Sequence, residues 1–174
     1  MATHSLFILA RLLHILTATL WVGAAVLVAA SVAPAARATG PAGATLMRHL
    51  TQVQKLPYVV MAVAVAAILS GLYLLWAASN ASPEIWMQSA SGRTYLFGAV
   101  SALSAALIGA GINIPTANRL GAFAAHLRMS SGAPDAAQSD QLNRLSLRLA
   151  VGTRTAAVLL VVATSAMAVA RYVS

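Results

Sequence analysis

The chain has 174 residues, of which 60% are hydrophobic and 8% charged, and its formal net charge is +8. A soluble domain carries about 25% charged residues, so this composition excludes an ordinary soluble protein and places most of the chain in a lipid bilayer. Cysteine is absent, which excludes disulfides, thiolate metal sites and iron–sulfur clusters. The basic residues lie between apolar segments instead of in one cluster, so no nucleic-acid partner is expected.

Four segments are apolar enough to cross the hydrocarbon core, which takes about 20 residues of helix. They are residues 7–30, 56–78, 94–115 and 149–172. The chain is therefore predicted to be all-α, with residues 1–174 forming a single four-transmembrane-helix bundle. The third segment, with "GAVSALSAALIGAG", is rich in small residues, which predicts close helix packing in lipid.

The distribution of Lys and Arg predicts the orientation of the bundle. Eight basic residues lie toward one side: Arg37, Arg48, Lys55, Arg119, Arg128, Arg144, Arg148 and Arg154. Three lie toward the other: Arg11, Arg93 and Arg171. By the positive-inside rule, the two longer linkers are cytoplasmic and both termini are periplasmic. A multi-pass protein of the bacterial inner (cytoplasmic) membrane is expected.

The linkers carry helix signals of their own. Pro41 stands at a typical first helical position, so the second helix is predicted to begin before the bilayer, with a kink at Pro57. The stretch "NRLGAFAAHLRM" predicts a short interfacial helix. "SSGAPDAAQSD" predicts a turn, and the leucines that follow it at helical spacing indicate that the fourth helix also starts early.

The stretch "ARLLHILTATLWVG" places two ionisable side chains inside the first span. His14 lies about 10 Å deep at 1.5 Å per residue, Arg11 is one turn nearer the outer surface, and Thr17 and Trp21 continue the stripe. Intramembrane ionisable groups are costly and usually face a bundle interior, a cavity or a cofactor. His49 and His126, toward the other surface, are interpreted as interfacial residues.

Helical rise places further polar and soft side chains near the level of His14. They include Tyr73, several serines and Met167, with Arg93 and Arg171 just above them. This set suits a haem b with His14 and Met167 as axial ligands and the three arginines on its propionates. Trp21 and Tyr73 complete the predicted cofactor-binding residues. Copper held by His14 and Met167, a quinone held by His14 and Tyr73, and a purely structural histidine are the alternatives.

The segment "LLHILTATLWVGAAVLVAA" resembles the first helix of a superfamily of small four-helix bacterial membrane proteins. That superfamily includes the copper resistance protein D domain and the membrane-bound protoporphyrinogen oxidase. The segments "RHLTQVQKLP…SGLYLLW" and "MAVARYV" are similar in kind, and "INIPTANRL" resembles a motif of families related to anthrone oxygenases. The resemblance implies that His14 ligates haem or porphyrin, while Trp21 and Gly23 pack the first helix.

The expected function is haem b binding, for electron transfer or haem handling near the periplasmic face. Any enzymatic activity would be that of a membrane oxidoreductase. Protoporphyrinogen oxidase activity is not expected, because those proteins use a lysine on a later helix and the sole lysine here, Lys55, lies in a linker. Alternatives are copper handling through His14 and Met167, and a non-catalytic subunit without a cofactor. Expected partners are the lipid bilayer, a membrane redox partner or larger complex, and further copies of the chain.

Overall fold

The computed structural model of the protein describes residues 2–80, 82–129 and 135–173, and every regular element within these ranges is a helix. The α-helices are α1 (Ala2–Leu27), α2 (Ala33–Ala38), α3 (Pro41–Arg48), α4 (Leu56–Ser79), α5 (Pro83–Gln88), α6 (Ala90–Ile108), α7 (Ile114–Met129) and α8 (Ala136–Val169). Five-residue π-helical turns occupy Val28–Val32, His49–Val53 and Gly109–Asn113, and a 3-10 turn occupies Ala170–Tyr172. The predicted all-α class is confirmed.

Four helical stretches are long and apolar enough to cross a membrane, in agreement with the predicted number of spans. They are His4–Ala38, Leu56–Ser79, Ala90–Met129 and Ala136–Tyr172. The hydrocarbon core is about 30 Å thick, whereas the longest stretch extends about 60 Å at 1.5 Å per residue. Three of the four helices therefore continue well past the bilayer.

The spanning helices pack antiparallel in two close pairs, α1 with α4 and α6 with α8, and α1 also contacts α8. His14, at the middle of α1, contacts Ser70 of α4, whereas the later Trp21 clusters with the earlier Ala64. Gly98 of α6 lies against Met167 near the end of α8, whereas Asn113, after α6, packs on the earlier Gly152. The first residues of α1 and the last residues of α8 therefore share one end of the bundle. We call it the terminal end, marked by His14 and Met167, and the opposite end the basic end, marked by Arg119 and Arg148.

The interior of the bundle consists mainly of small side chains. Its central cluster is Trp21, Ala64, Ala67, Ala105, Ala156 and Leu160. Gly98 and Ser101 of α6 are also buried. Small residues let helix backbones approach closely, so dispersion contacts and backbone proximity hold the helices together in lipid. The close packing predicted from the third span is confirmed.

The linker between α1 and α4 differs in part from its prediction. Pro41 is the first residue of α3, as predicted, and it follows Gly40, whose φ of 57° suits a residue without a side chain. The kink predicted at Pro57 is wrong. Lys55 takes a left-handed conformation (φ 51°, ψ 33°), the helix is interrupted there, and Pro57 stands in the first turn of α4, where its missing N–H needs no partner.

The linker before the fourth span is also more helical than predicted. The expected short interfacial helix is α7, which continues from α6 through the π-helical turn Gly109–Asn113. The early start of the fourth helix is confirmed, because Asp135 and Gln138 form a reciprocal capping box at the beginning of α8. Of the turn predicted over residues 130–140, residues 130–134 lie outside the described residues and residues 136–140 are helical.

Candidate functional site

The antiparallel pairing of α1 with α4 gives His14 a partner on the opposite helix. Nδ1 of His14 lies 2.8 Å from the carbonyl oxygen of Ala67. A carbonyl oxygen only accepts hydrogen bonds, so Nδ1 carries the proton and donates it. This bond fixes the orientation of the ring, and in the neutral tautomer that it selects the lone pair lies on Nε2.

Ser70 stands beside the ring without replacing that hydrogen bond. Its Oγ lies 3.5 Å from Nδ1 of His14, but only 2.6 Å from the carbonyl oxygen of Ala66. The hydroxyl has one hydrogen, which the shorter contact to its own helix uses. Among the residues that the structure describes, none forms a hydrogen bond with Nε2 of His14. The free nitrogen is thus the one that is available to a ligand.

Gly71 provides the space for the imidazole ring. A Cβ atom at residue 71 would lie 2.7 Å from Cε1 of His14 and 3.0 Å from Nδ1. Any other residue at this position would displace the ring from the hydrogen bond to Ala67. The position of His14 therefore depends on a close backbone approach that Gly71 alone permits.

The three arginines of the terminal end are exposed: Arg11, Arg93 and Arg171. Within the described ranges, none of them has a carboxylate within 4.0 Å, and the guanidinium of Arg171 lies 4.6 Å from the ring centroid of Tyr172. Trp86 and Tyr95 stack nearby, with ring centroids 6.4 Å apart. None of the described acidic side chains is therefore paired with these three arginines.

Met167 is half-buried on α8, where its Cγ would lie 3.0 Å from a Cβ placed on Gly98 of α6. His14 packs against α4. The two predicted axial ligands thus stand on different helix pairs, at the same end of the bundle.

The two aromatic residues predicted for the site have different surroundings. Tyr73 is half-buried, and its ring centroid lies 6.0 Å from that of Trp76. Trp21 is 8% exposed and belongs to the central cluster of the bundle. Trp21 therefore packs the interior, while Tyr73 remains near the level of His14.

Sequence reasoning missed two of the residues that define the site. The partner of His14 is a backbone carbonyl, for which Ala67 carries no sequence signal. Gly71 follows Ser70 in "SGLYLLW", and a glycine within an apolar span is a signal for close approach of another group. No cluster of three or more His, Cys, Asp or Glu side chains is present in the described part of the chain, and His49 and His126 are both exposed.

Comparison of the chain with protein-family models, with curated proteins and with solved structures gives no match.

Proposed function

We propose that the protein is an integral membrane haem b-binding protein in which Nε2 of His14 is an axial iron ligand. One observation carries the proposal: Nδ1 of His14 donates to the carbonyl oxygen of Ala67 at 2.8 Å, and Nε2 has no described partner. Histidines that ligate metals usually donate their second ring nitrogen to a carbonyl or carboxylate in this way, which raises the basicity of the ligating nitrogen.

The donor set suits a haem better than a metal ion held by the protein alone. A porphyrin brings four nitrogen ligands of its own, so the protein has to supply only axial groups, and a single oriented histidine can be one of them. Met167 is our candidate for the second axial position, on the same end of the bundle. A copper ion would draw all of its ligands from the protein, and the described residues contain no cluster of three or more His, Cys, Asp or Glu side chains.

The charge of the terminal end supports the same proposal. Arg11 is one helical turn from His14, and Arg93 and Arg171 begin α6 and end the fourth span. Haem propionates are anionic, and guanidinium groups bind carboxylates with two parallel hydrogen bonds. Arginines without described carboxylate partners are therefore suited to anchor propionates at this surface, with Tyr73 nearby.

When bound, a haem b supplies one-electron chemistry, which suits electron transfer or haem handling near a membrane surface. We further propose that the terminal end faces the periplasm of a bacterial inner membrane, because eight of the eleven basic residues lie toward the basic end. A membrane redox partner or a larger complex would then reach the site from the periplasmic side.

The test is the visible spectrum of the detergent-purified protein, oxidised and dithionite-reduced, after expression with added haem precursor. We expect a b-type spectrum that His14→Ala abolishes. The matched control is His4→Ala, which removes an exposed histidine of the same helix and should leave the spectrum unchanged. A colourless wild-type protein would overturn the haem proposal. Copper-dependent stability would then favour copper handling, and a tightly copurifying partner would favour a non-catalytic subunit of a larger complex.

A further inference from the structure

A groove lies on the flank of the bundle toward the basic end, between α8 and the junction of α6 with α7. Its volume is about 420 Å³, within the range of about 300–1,000 Å³ that is common for ligand pockets. Its apolar walls are Ile108 and Ile112 on one side and Leu147 and Val151 on the other. Arg148 and Thr155 complete the lining, whose surface is almost entirely apolar.

The two helices that border the groove meet at a residue without a side chain. Gly152 of α8 is buried, and the amide of Asn113, in the π-helical turn, packs directly on it. Oδ1 of Asn113 is buried and has no described hydrogen-bond partner. This contact holds the helices together beside the groove, while Leu147, Val151 and Thr155, at helical spacing of four, face the opening.

Arg148, which lines the groove, forms no ion pair with any acidic side chain of the described residues. Arg144, one turn earlier, is paired with Asp140, and its Nε lies 3.1 Å from Oδ2 of that residue. Arg148 is exposed, and no carboxylate of the described residues lies within 4.0 Å of its guanidinium. The fourth apolar segment is predicted to begin at residue 149, so Arg148 borders it and is expected at the level of the lipid headgroups.

We propose that this groove binds an anionic phospholipid, with an acyl chain along its apolar walls and the phosphate on Arg148. The groove and the unpaired Arg148 beside it are complementary to such a molecule. The apolar walls fit an acyl chain, and the positive charge fits an anionic headgroup. Basic pockets between transmembrane helices recognise such headgroups. The proposal is independent of any haem at the terminal end.

The test measures the thermal unfolding midpoint of the full-length protein in detergent, with added dioleoyl phosphatidylglycerol or dioleoyl phosphatidylcholine. The acyl chains are identical, so only the headgroup charge differs. We expect the wild-type protein to bind the anionic lipid about fivefold more tightly, the contribution of one arginine near a membrane surface. Arg148→Gln should remove this preference, whereas Arg154→Gln, an equal charge change on the same helix outside the groove lining, should keep it.

A second variant tests the groove separately from the charge. Val151→Trp fills the groove and leaves Arg148 in place. It should therefore weaken binding of the anionic lipid at least as strongly as Arg148→Gln does. Equal binding of the two lipids by the wild-type protein would overturn the proposal, as would equal losses in Arg148→Gln and Arg154→Gln. Stabilisation by inorganic phosphate that Val151→Trp leaves intact would also overturn it, by identifying a free-anion site instead of a lipid site.

Discussion

His14 and Gly71 depend on each other across two helices. The imidazole ring occupies the space that a side chain at residue 71 would take, and this placement lets Nδ1 reach the carbonyl oxygen of Ala67. Interhelical hydrogen bonds in membranes contribute about 0.6 kcal/mol on average. The bond therefore does more to orient the ring than to stabilise the fold, and orientation is what a ligating histidine requires.

Gly71→Ala should separate the position of the ring from its chemistry. The new Cβ would lie 2.7 Å from Cε1 of His14, so the ring must move, and overpacking of this kind costs about 1–3 kcal/mol. We expect a lower unfolding midpoint in detergent together with reduced haem content. Gly23→Ala is the control, because nothing lies within 4 Å of the Cβ that it adds. Equal effects of the two substitutions would show that the close approach at Gly71 is unimportant.

The sequence predicts the depth of His14 but not its partner. Depth follows from position in an apolar span, since each residue of helix advances about 1.5 Å. The partner follows from the rotation of α1 against α4, which depends on how Trp21 packs against Ala64 and Ala67. Every residue offers a carbonyl, so no sequence pattern identifies Ala67 as the acceptor.

At the scale of elements, the helices are longer than the spans. Hydropathy identifies only the residues expected to contact lipid. Because residues 116–129 include the charged Arg119 and Arg128, hydropathy assigns them to a linker. The backbone nevertheless stays helical through Gly109–Asn113, because a π-helical turn accommodates an extra residue without ending the helix. The helix break at Lys55 could not be predicted from the sequence, because no sequence pattern identifies a lysine in the left-handed conformation.

Asp135 should contribute measurably to the stability of α8, the longest α-helix of the described chain. Its side chain accepts a hydrogen bond from the backbone N–H of Gln138 at 2.7 Å. Asp135→Ala removes this cap, which typically costs about 0.5–2 kcal/mol. Asp140→Ala removes the same charge but breaks only an exposed i,i+4 pair with Arg144, worth about 0.3–0.5 kcal/mol. The thermal unfolding midpoint of Asp135→Ala should therefore be lower than that of Asp140→Ala. The reverse order would contradict the assignment of Asp135 as the helix cap.

In the whole molecule, most of the basic residues and the longest helical extensions lie at the same end of the bundle. The helices that continue past the bilayer do so at the basic end, where α7 and the beginning of α8 carry Arg119, Arg128, Arg144 and Arg148. The terminal end carries the short helix α5 and three arginines. This asymmetry is the basis for placing the terminal end outside the cytoplasm.

Single-cysteine labelling tests that orientation directly, because the natural chain contains no cysteine. Gln88 and Asn143 are both exposed, at the terminal and basic ends respectively. In cells with a permeabilised outer membrane, a membrane-impermeant maleimide should label Gln88→Cys and not Asn143→Cys until the inner membrane is lysed. The opposite labelling pattern would invert the proposed topology and place the proposed haem site at the cytoplasmic surface.

Chemical rescue tests most directly whether Nε2 of His14 ligates haem iron, as we propose. His14→Gly removes the imidazole and leaves space for a soluble one, so the purified variant should lack the b-type spectrum that we expect of the wild-type protein. Millimolar imidazole with added haem should restore it, while matched elution in size-exclusion chromatography shows that the variant is folded. A wild-type spectrum in His14→Gly without imidazole would contradict the assignment.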